Sequence, residues 1–86
     1  MAYKVELASQ PIKFIRGLAG SERARIIKKL DELSETPLCR SVRLVEGRRE
    51  KTYRVRVGAF RILYHVFWDD EEVLVSVIDR RPRAYR

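Results

Sequence analysis

Tyr3-Lys4-Val5-Glu6-Leu7 alternates apolar and polar residues, the period of a half-buried strand. Ser9 then reads as a helix N-cap with Pro11 in the first turn, where a missing N–H costs nothing. Ile12, Ile15 and Leu18 follow at helical spacing with Phe14 beside them, and Gly17 and Gly20 end this short helix. Ser21 reads as the cap of a second helix. Ala24, Ile27, Leu30 and Leu33 form its apolar stripe, widened by Ile26, with Arg23, Lys28, Lys29, Asp31 and Glu32 on the other side. Thr36-Pro37 stops it, so the two segments predict a helical hairpin.

From Val42 the period changes to two. Val42 to Val45 reads as a short strand, Glu46-Gly47-Arg48-Arg49 as a turn, and Lys51–Val57, Phe60–Trp68 and Glu72–Asp79 as longer strands, with Asp69-Asp70-Glu71 turning the last pair. The expected order is β-α-α-β-β-β, with room for a short final strand before the tail. The fold class is α+β: a helical hairpin on one face of a small, mainly antiparallel sheet.

Gly58-Ala59 between two strands is the signature of a two-residue type II′ hairpin. It sets Val57 opposite Phe60, Arg56 opposite Arg61, Val55 opposite Ile62 and Arg54 opposite Leu63. A two-residue turn at Asp70-Glu71 would set Trp68 opposite Val73, Val66 opposite Val75 and Arg61 level with Arg80. Side chains alternate across a strand. One face should therefore hold Tyr53, Val55, Val57, Phe60, Ile62, Tyr64, Val66, Trp68, Val73, Val75 and Val77, against the helices. The other should hold Arg54, Arg56, Arg61, Leu63, His65, Phe67, Leu74, Ser76, Ile78 and Arg80, basic at one end and apolar at the other.

Eighty-six residues, 45% hydrophobic and 36% charged, describe one small globular domain, residues 1–86, with a basic tail from residue 80 to 86. The apolar content excludes intrinsic disorder. No run approaches the roughly 18–20 apolar residues of a membrane span, and no signal peptide is visible. Cys39 stands alone, so no internal disulfide forms and a reducing cytoplasm is the expected setting. One His and one Cys make no zinc cluster.

Charge changes the picture more. The net is +7, and 14 of the 19 bases are Arg, whose planar fork suits phosphate. Residues 40–61 carry eight bases and two acids, the tail four bases and no acid, and residues 1–39 only +2. Directly opposed like charges such as Arg56 and Arg61 destabilise a sheet by a few tenths to about 1 kcal/mol. Either the heads splay into water or a neighbour such as Glu46 or Glu50 neutralises one, or an anionic ligand lies between them. With Arg54 on the same face and Arg80 or Arg81 at the same end, a polyanionic ligand is favoured.

Other candidates are weaker. His65 reads as structural or partly exposed, although its ordinary pKa suits acid–base work. Tyr85, in the basic tail, either stacks on a nucleobase or docks the tail on the sheet. The acids Asp69 to Glu72 read as a solvated turn and not as a metal site. There is no Ser or Cys nucleophile constellation and no phosphate-cradling Gly loop.

The order of elements, the run Tyr53-Arg54-Val55-Arg56-Val57-Gly58-Ala59-Phe60-Arg61-Ile62-Leu63-Tyr64 and the ending Ile78-Asp79-Arg80-Arg81-Pro82-Arg83-Ala84-Tyr85-Arg86 resemble the RelE branch of the RelE/ParE toxin superfamily. The resemblance spans essentially the whole chain. It implies the toxin of a type II toxin–antitoxin pair: a metal-independent, cofactor-free endoribonuclease that enters the ribosomal A site, cleaves mRNA there and inhibits translation. The resemblance also implies site residues. The family's two strand cations fall on Arg54 and Arg56, its arginine after the hairpin turn on Arg61, its late arginine on Arg81 and its base-stacking tyrosine on Tyr85. Arg43 matches a basic position that contacts RNA backbone, and Arg80 and Arg83 would join it in binding RNA or ribosome.

Where some members carry Lys on the strand, this chain carries Arg, which stays protonated and is a poor general base. Proton abstraction would fall to Tyr85, a ribosomal group or water. The implied partner is a RelB-like antitoxin, with ribosome and mRNA as target and no membrane. Leu63, Phe67, Leu74 and Ile78 would leave apolar surface that antitoxin or tail could cover. The rival readings are a ParE-like toxin acting on DNA gyrase and a non-catalytic RNA-binding protein.

Overall fold

The computed structural model describes residues 2–80. Its elements are β1 (Lys4–Leu7), α1 (Ser9–Arg16), α2 (Gly20–Glu35), β2 (Arg43–Val45), β3 (Thr52–Val57), β4 (Phe60–Phe67) and β5 (Glu72–Arg80). The five strands form one sheet in the order β1-β5-β4-β3-β2. All neighbours are antiparallel except β1, which runs parallel to β5 at the edge. The fold is α+β as expected, in the order β-α-α-β-β-β-β: every strand that the pattern marks is formed, the short one at Arg43–Val45 included, which is one more than the expected β-α-α-β-β-β order counts.

The helical hairpin covers one face of the sheet. Ile15, Leu18, Ile26, Leu30 and Leu33 pack on Val55, Val57, Phe60, Ile62, Tyr64, Val73, Val75 and Ile78. The buried stripe of α2 is Ile26-Leu30-Leu33. Ala24 and Ile27 face outward, a rotation of the expected stripe. The helices start at Ser9 and Gly20, with Ala8 and Ala19 at the N-cap positions and no capping side chain, so neither Ser9 nor Ser21 plays the expected role. Arg23 closes the hairpin corner instead: its Nε and Nη2 donate to the carbonyls of Ile15 and Leu18, 3.3 and 2.9 Å away, which satisfies end-of-helix acceptors.

The first sheet hairpin has the expected register, Val57 to Phe60, Arg56 to Arg61, Val55 to Ile62 and Arg54 to Leu63. Gly58 has φ of 58°, as the first position of a II′ turn requires. The second hairpin departs from expectation twice. Its turn spans Trp68 to Glu71 with Glu71 at φ 55°, so Val66, not Trp68, faces Val73. Then Ser76 bulges: Tyr64 faces Val75 but Leu63 faces Val77. A single extra residue inverts every later side chain. Ile78 therefore lies in the core, fully buried, and Val77 lies on the opposite face. Asp79, not Arg80, stands opposite Arg61.

Candidate anion-binding face

The face away from the helices carries the arginines. Arg54 and Arg56 share it because they stand two residues apart on β3. Arg43 on β2 is directly opposite Arg54, and Arg61 on β4 is directly opposite Arg56. Directly opposed side chains leave their strands about 5 Å apart. Four guanidinium groups thus rise from three adjacent strands within one patch. Ser41, Arg43, Arg54 and Arg56 line a cleft of about 270 Å³ there. Arg43 and Arg56 are exposed and Arg54 is half-buried.

Sequence reasoning missed the counter-ion. Arg61 Nε and Nη2 donate to Asp79 Oδ1 and Oδ2 at 3.1 and 3.0 Å, a two-toothed ion pair about one-third exposed on both sides. The row across the sheet reads Arg56, Arg61, Asp79. One cation of the opposed Arg56–Arg61 pair is therefore neutralised within the chain, by Asp79 and not by Glu46 or Glu50. No sequence signal would have found it without the bulge, since regular alternation puts Asp79 under the helices. Ser41, which no motif marks, was also missed.

Arg80 is turned to the helix side. Its guanidinium lies 4.7 Å above the Phe60 ring and 3.7 Å from Glu22 on α2, so it does not join Arg61 as expected. Arg81, Arg83 and Tyr85 lie outside the described residues. His65 is on the arginine face, but Leu63 stands between it and Arg61 along β4. Its Nδ1 is 3.1 Å from the Lys51 carbonyl. A carbonyl can only accept, so Nδ1 carries the proton and the ring ties the β2–β3 loop to the sheet. That loop brings Arg48 and Arg49 over a further cleft of about 390 Å³ lined by Thr52, His65, Ser76 and Val77.

The expected apolar surface is smaller than predicted: Ile78 is in the core and Leu63 is buried, leaving Phe67 exposed and Leu74 half-buried. Among the described residues no group of three His, Cys, Asp or Glu side chains could hold a metal ion. None of their helices is long and apolar enough to cross a membrane.

A patch of forked cations beside a cleft suits phosphate or carboxylate. Residues 12–85 match the family model of the ParE toxin of the type II toxin–antitoxin system parDE. The chain is 30% identical, over its whole length and 98% of the relative's, to a Methanocaldococcus jannaschii protein assigned as toxin RelE1. It superposes on RelE–RelB of Pyrococcus horikoshii OT3 with a TM-score of 0.84 at 30% identity, covering 98% of this chain and 100% of that one. The isolated Escherichia coli RelE toxin shares the fold, with a TM-score of 0.82 at 24% identity over 96% of this chain and 88% of that one. The chain belongs to the RelE/ParE superfamily and is a RelE-type toxin of a type II toxin–antitoxin system.

Proposed function

We propose that this toxin is a ribosome-dependent endoribonuclease, acting in the cytoplasm on mRNA in the ribosomal A site and neutralised by a RelB-like antitoxin. The observation that carries the reading is the gathering of Arg43, Arg54, Arg56 and Arg61 on one open face beside a cleft. In the proposed reaction the ribose 2′-OH attacks the adjacent phosphorus and the bond to the 5′ oxygen breaks, leaving a cyclic phosphate and a 5′-OH. Negative charge builds on the phosphate oxygens and the departing oxygen, where fixed cations act most strongly. Arg54 and Arg56 would orient the phosphate, Arg61 and Arg81 would meet the developing charge, and Tyr85 would stack on the base. Arg43 and Arg83 would hold the RNA backbone. Arg80 receives no role, being held at Glu22 and Phe60. The proton from the 2′-OH would go to Tyr85, a ribosomal group or water, and the departing 5′ oxygen would take up a proton from water or a ribosomal group.

The antitoxin half rests on the Pyrococcus toxin, whose structure is a complex with RelB. An acidic antitoxin segment fits a +7 toxin.

The test is a reconstituted translation reaction with primer extension, run with and without ribosomes. Wild type is expected to cut within A-site codons only when ribosomes are present. Arg56→Ala, Arg81→Ala and Tyr85→Ala are each expected to lower the cutting rate by about tenfold or more, in the range that electrostatic contacts to a transition state supply. The match to a ParE model favours gyrase inhibition as the second reading. A folded toxin that cuts nothing on ribosomes but blocks supercoiling would establish it.

A further inference from the structure

The Arg61–Asp79 pair is unlike the other ion pairs of the described residues. Lys4–Glu6, Lys29–Glu32 and Arg80–Glu22 are single contacts, whereas Asp79 takes two donors of one guanidinium edge. It also sits at the end of the arginine row, opposite Arg61 and on the face where an anion would bind. A carboxylate gripped by the Nε/Nη2 edge mimics a phosphate gripped the same way. It is an internal anion at one corner of the patch.

From this geometry we infer that Asp79 is a specificity-determining residue, which sets how strongly the arginine face takes free single-stranded RNA. The inference rests on the reading that this face binds RNA phosphates. A phosphodiester that uses the Nε/Nη2 edge of Arg61 must displace the carboxylate. One that approaches another edge of the guanidinium still meets a like charge next to it. Either way Asp79 opposes phosphate at Arg61 while leaving Arg43, Arg54 and Arg56 to attract it. RNA held in place by the ribosome needs little affinity from the toxin. RNA in free solution needs all of it. A carboxylate at this corner therefore lowers binding to free RNA more than it lowers action on presented RNA.

The bulge is what makes the arrangement possible. Without the extra residue at Ser76, the register set by Tyr64 and Val75 would put Ile78 opposite Arg61 and Asp79 on the helix side. The alternation of β5 is broken once, three residues before the acid.

The test is fluorescence anisotropy of a labelled 12-nucleotide single-stranded RNA against the full chain, from about 50 to 200 mM salt. Asp79→Asn keeps the side chain's shape and removes its charge. It is expected to bind about tenfold tighter than wild type. Its log K against log salt is expected to be steeper by about 0.7, the increment for one added phosphate contact on a single strand. In Arg61→Ala the Asp79→Asn substitution is expected to change neither quantity. Unchanged affinity in Asp79→Asn overturns the inference. So does a gain that persists in the Arg61→Ala background, which marks a general effect of net charge. If Asp79→Asn does not fold, the Arg61 Nε–H resonance of wild type is followed during titration with the same RNA. A shift at RNA saturation supports displacement of Asp79, and an unmoved resonance overturns it. Failure of the underlying reading, that the arginine face binds RNA phosphates, looks different: wild type would bind this RNA no better than Arg54→Ala/Arg56→Ala does.

Discussion

Tyr64 illustrates how one side chain joins the two layers. It is fully buried on the core face of β4, and its hydroxyl donates to the Pro37 carbonyl at 2.6 Å, just beyond the end of α2. Burial raises its pKa above the ordinary value near 10, with smaller contributions from Cys39 and Tyr53. The neutral phenol is thus the form that the fold accepts. Its stabilisation is complete below pH about 10 and is lost as pH rises toward the raised folded value. Tyr64→Phe leaves a buried carbonyl without its donor and is expected to cost about 1–3 kcal/mol at neutral pH. That penalty should shrink above pH about 10, because only the wild type has a phenol to ionise. Urea denaturation of both proteins at about pH 7 and about pH 10.5 checks the sign as well as the size.

The residue scale also shows how locally a correct reading can be made. Gly58-Ala59 fixed the register of the β3–β4 hairpin because a II′ turn depends on one positive φ that glycine accepts freely. The Arg56–Arg61 juxtaposition followed directly. The two-residue turn expected at Asp70-Glu71 failed for the same kind of reason. Glu71 adopts a positive φ of 55°, and nothing in a run of four acids announces which of them will do so.

Among the elements, β5 carries the most consequence. It is the central partner of β1 and β4, and its last residues lead into the basic tail. On its β1 side the strand pairing stops at Leu7–Val75. Beyond that point the Gln10 side chain takes over. Its Oε1 accepts from the Ile78 N–H at 2.9 Å and its Nε2 donates to the Ile78 carbonyl at 2.8 Å. A side-chain amide thereby imitates one more residue of the β1 strand and satisfies an edge that would otherwise be open. Gln10→Ala is expected to cost about 1–3 kcal/mol and to speed hydrogen exchange at the Ile78 amide more than at Val73. Equal exchange at the two amides would mean that Gln10 is not what closes this edge. The helix sequence showed only a polar residue after Ser9, since the partner lies 68 positions away.

The bulge at Ser76 acts at the same scale. Up to Val75 the expected faces are correct, and Val73 and Val75 are fully buried. After it they invert, which exchanges Ile78 for Val77 and Asp79 for Arg80. Ser76 Oγ lies 3.3 Å from the Leu63 carbonyl, across the point where the register shifts. A polar residue in the run Val73-Leu74-Val75-Ser76-Val77-Ile78 was the one available hint.

At the scale of the whole molecule, charge is segregated by layer. Residues 1–39, which build the helices and β1, carry only +2 of the +7. The excess comes from residues 40–61, half of whose bases stand on the sheet's open face, and from the tail. Such a distribution makes affinity for a polyanion salt-dependent through the contacts it forms. Arg54→Ala/Arg56→Ala is expected to flatten log K against log salt for single-stranded RNA by about 1.4, two contacts at about 0.7 each. Lys28→Ala, an exposed change on the far helix, is expected to leave the slope unchanged. Equal flattening by both would mean that net charge alone, and not the arginine face, binds the RNA.

What the sequence determined by itself was whatever depends on near neighbours. Periodicity marked the helical hairpin and the strands, a Gly-first turn set one register, and the count of arginines announced a phosphate-like partner. These follow from backbone sterics and solvation, which each short segment meets alone. The tertiary structure alone decided the rest. It set the length of the β4–β5 turn, placed the extra residue in β5, turned α2 so that Ile26 and not Ile27 is buried, and paired Arg61 with Asp79 while sending Arg80 to Phe60 and Glu22. Each is settled by competition between distant segments for one core and one sheet. Burying Ile78 in place of Val77 removes one more methylene from water, worth about 0.8 kcal/mol. The same choice carries Asp79 onto the arginine face.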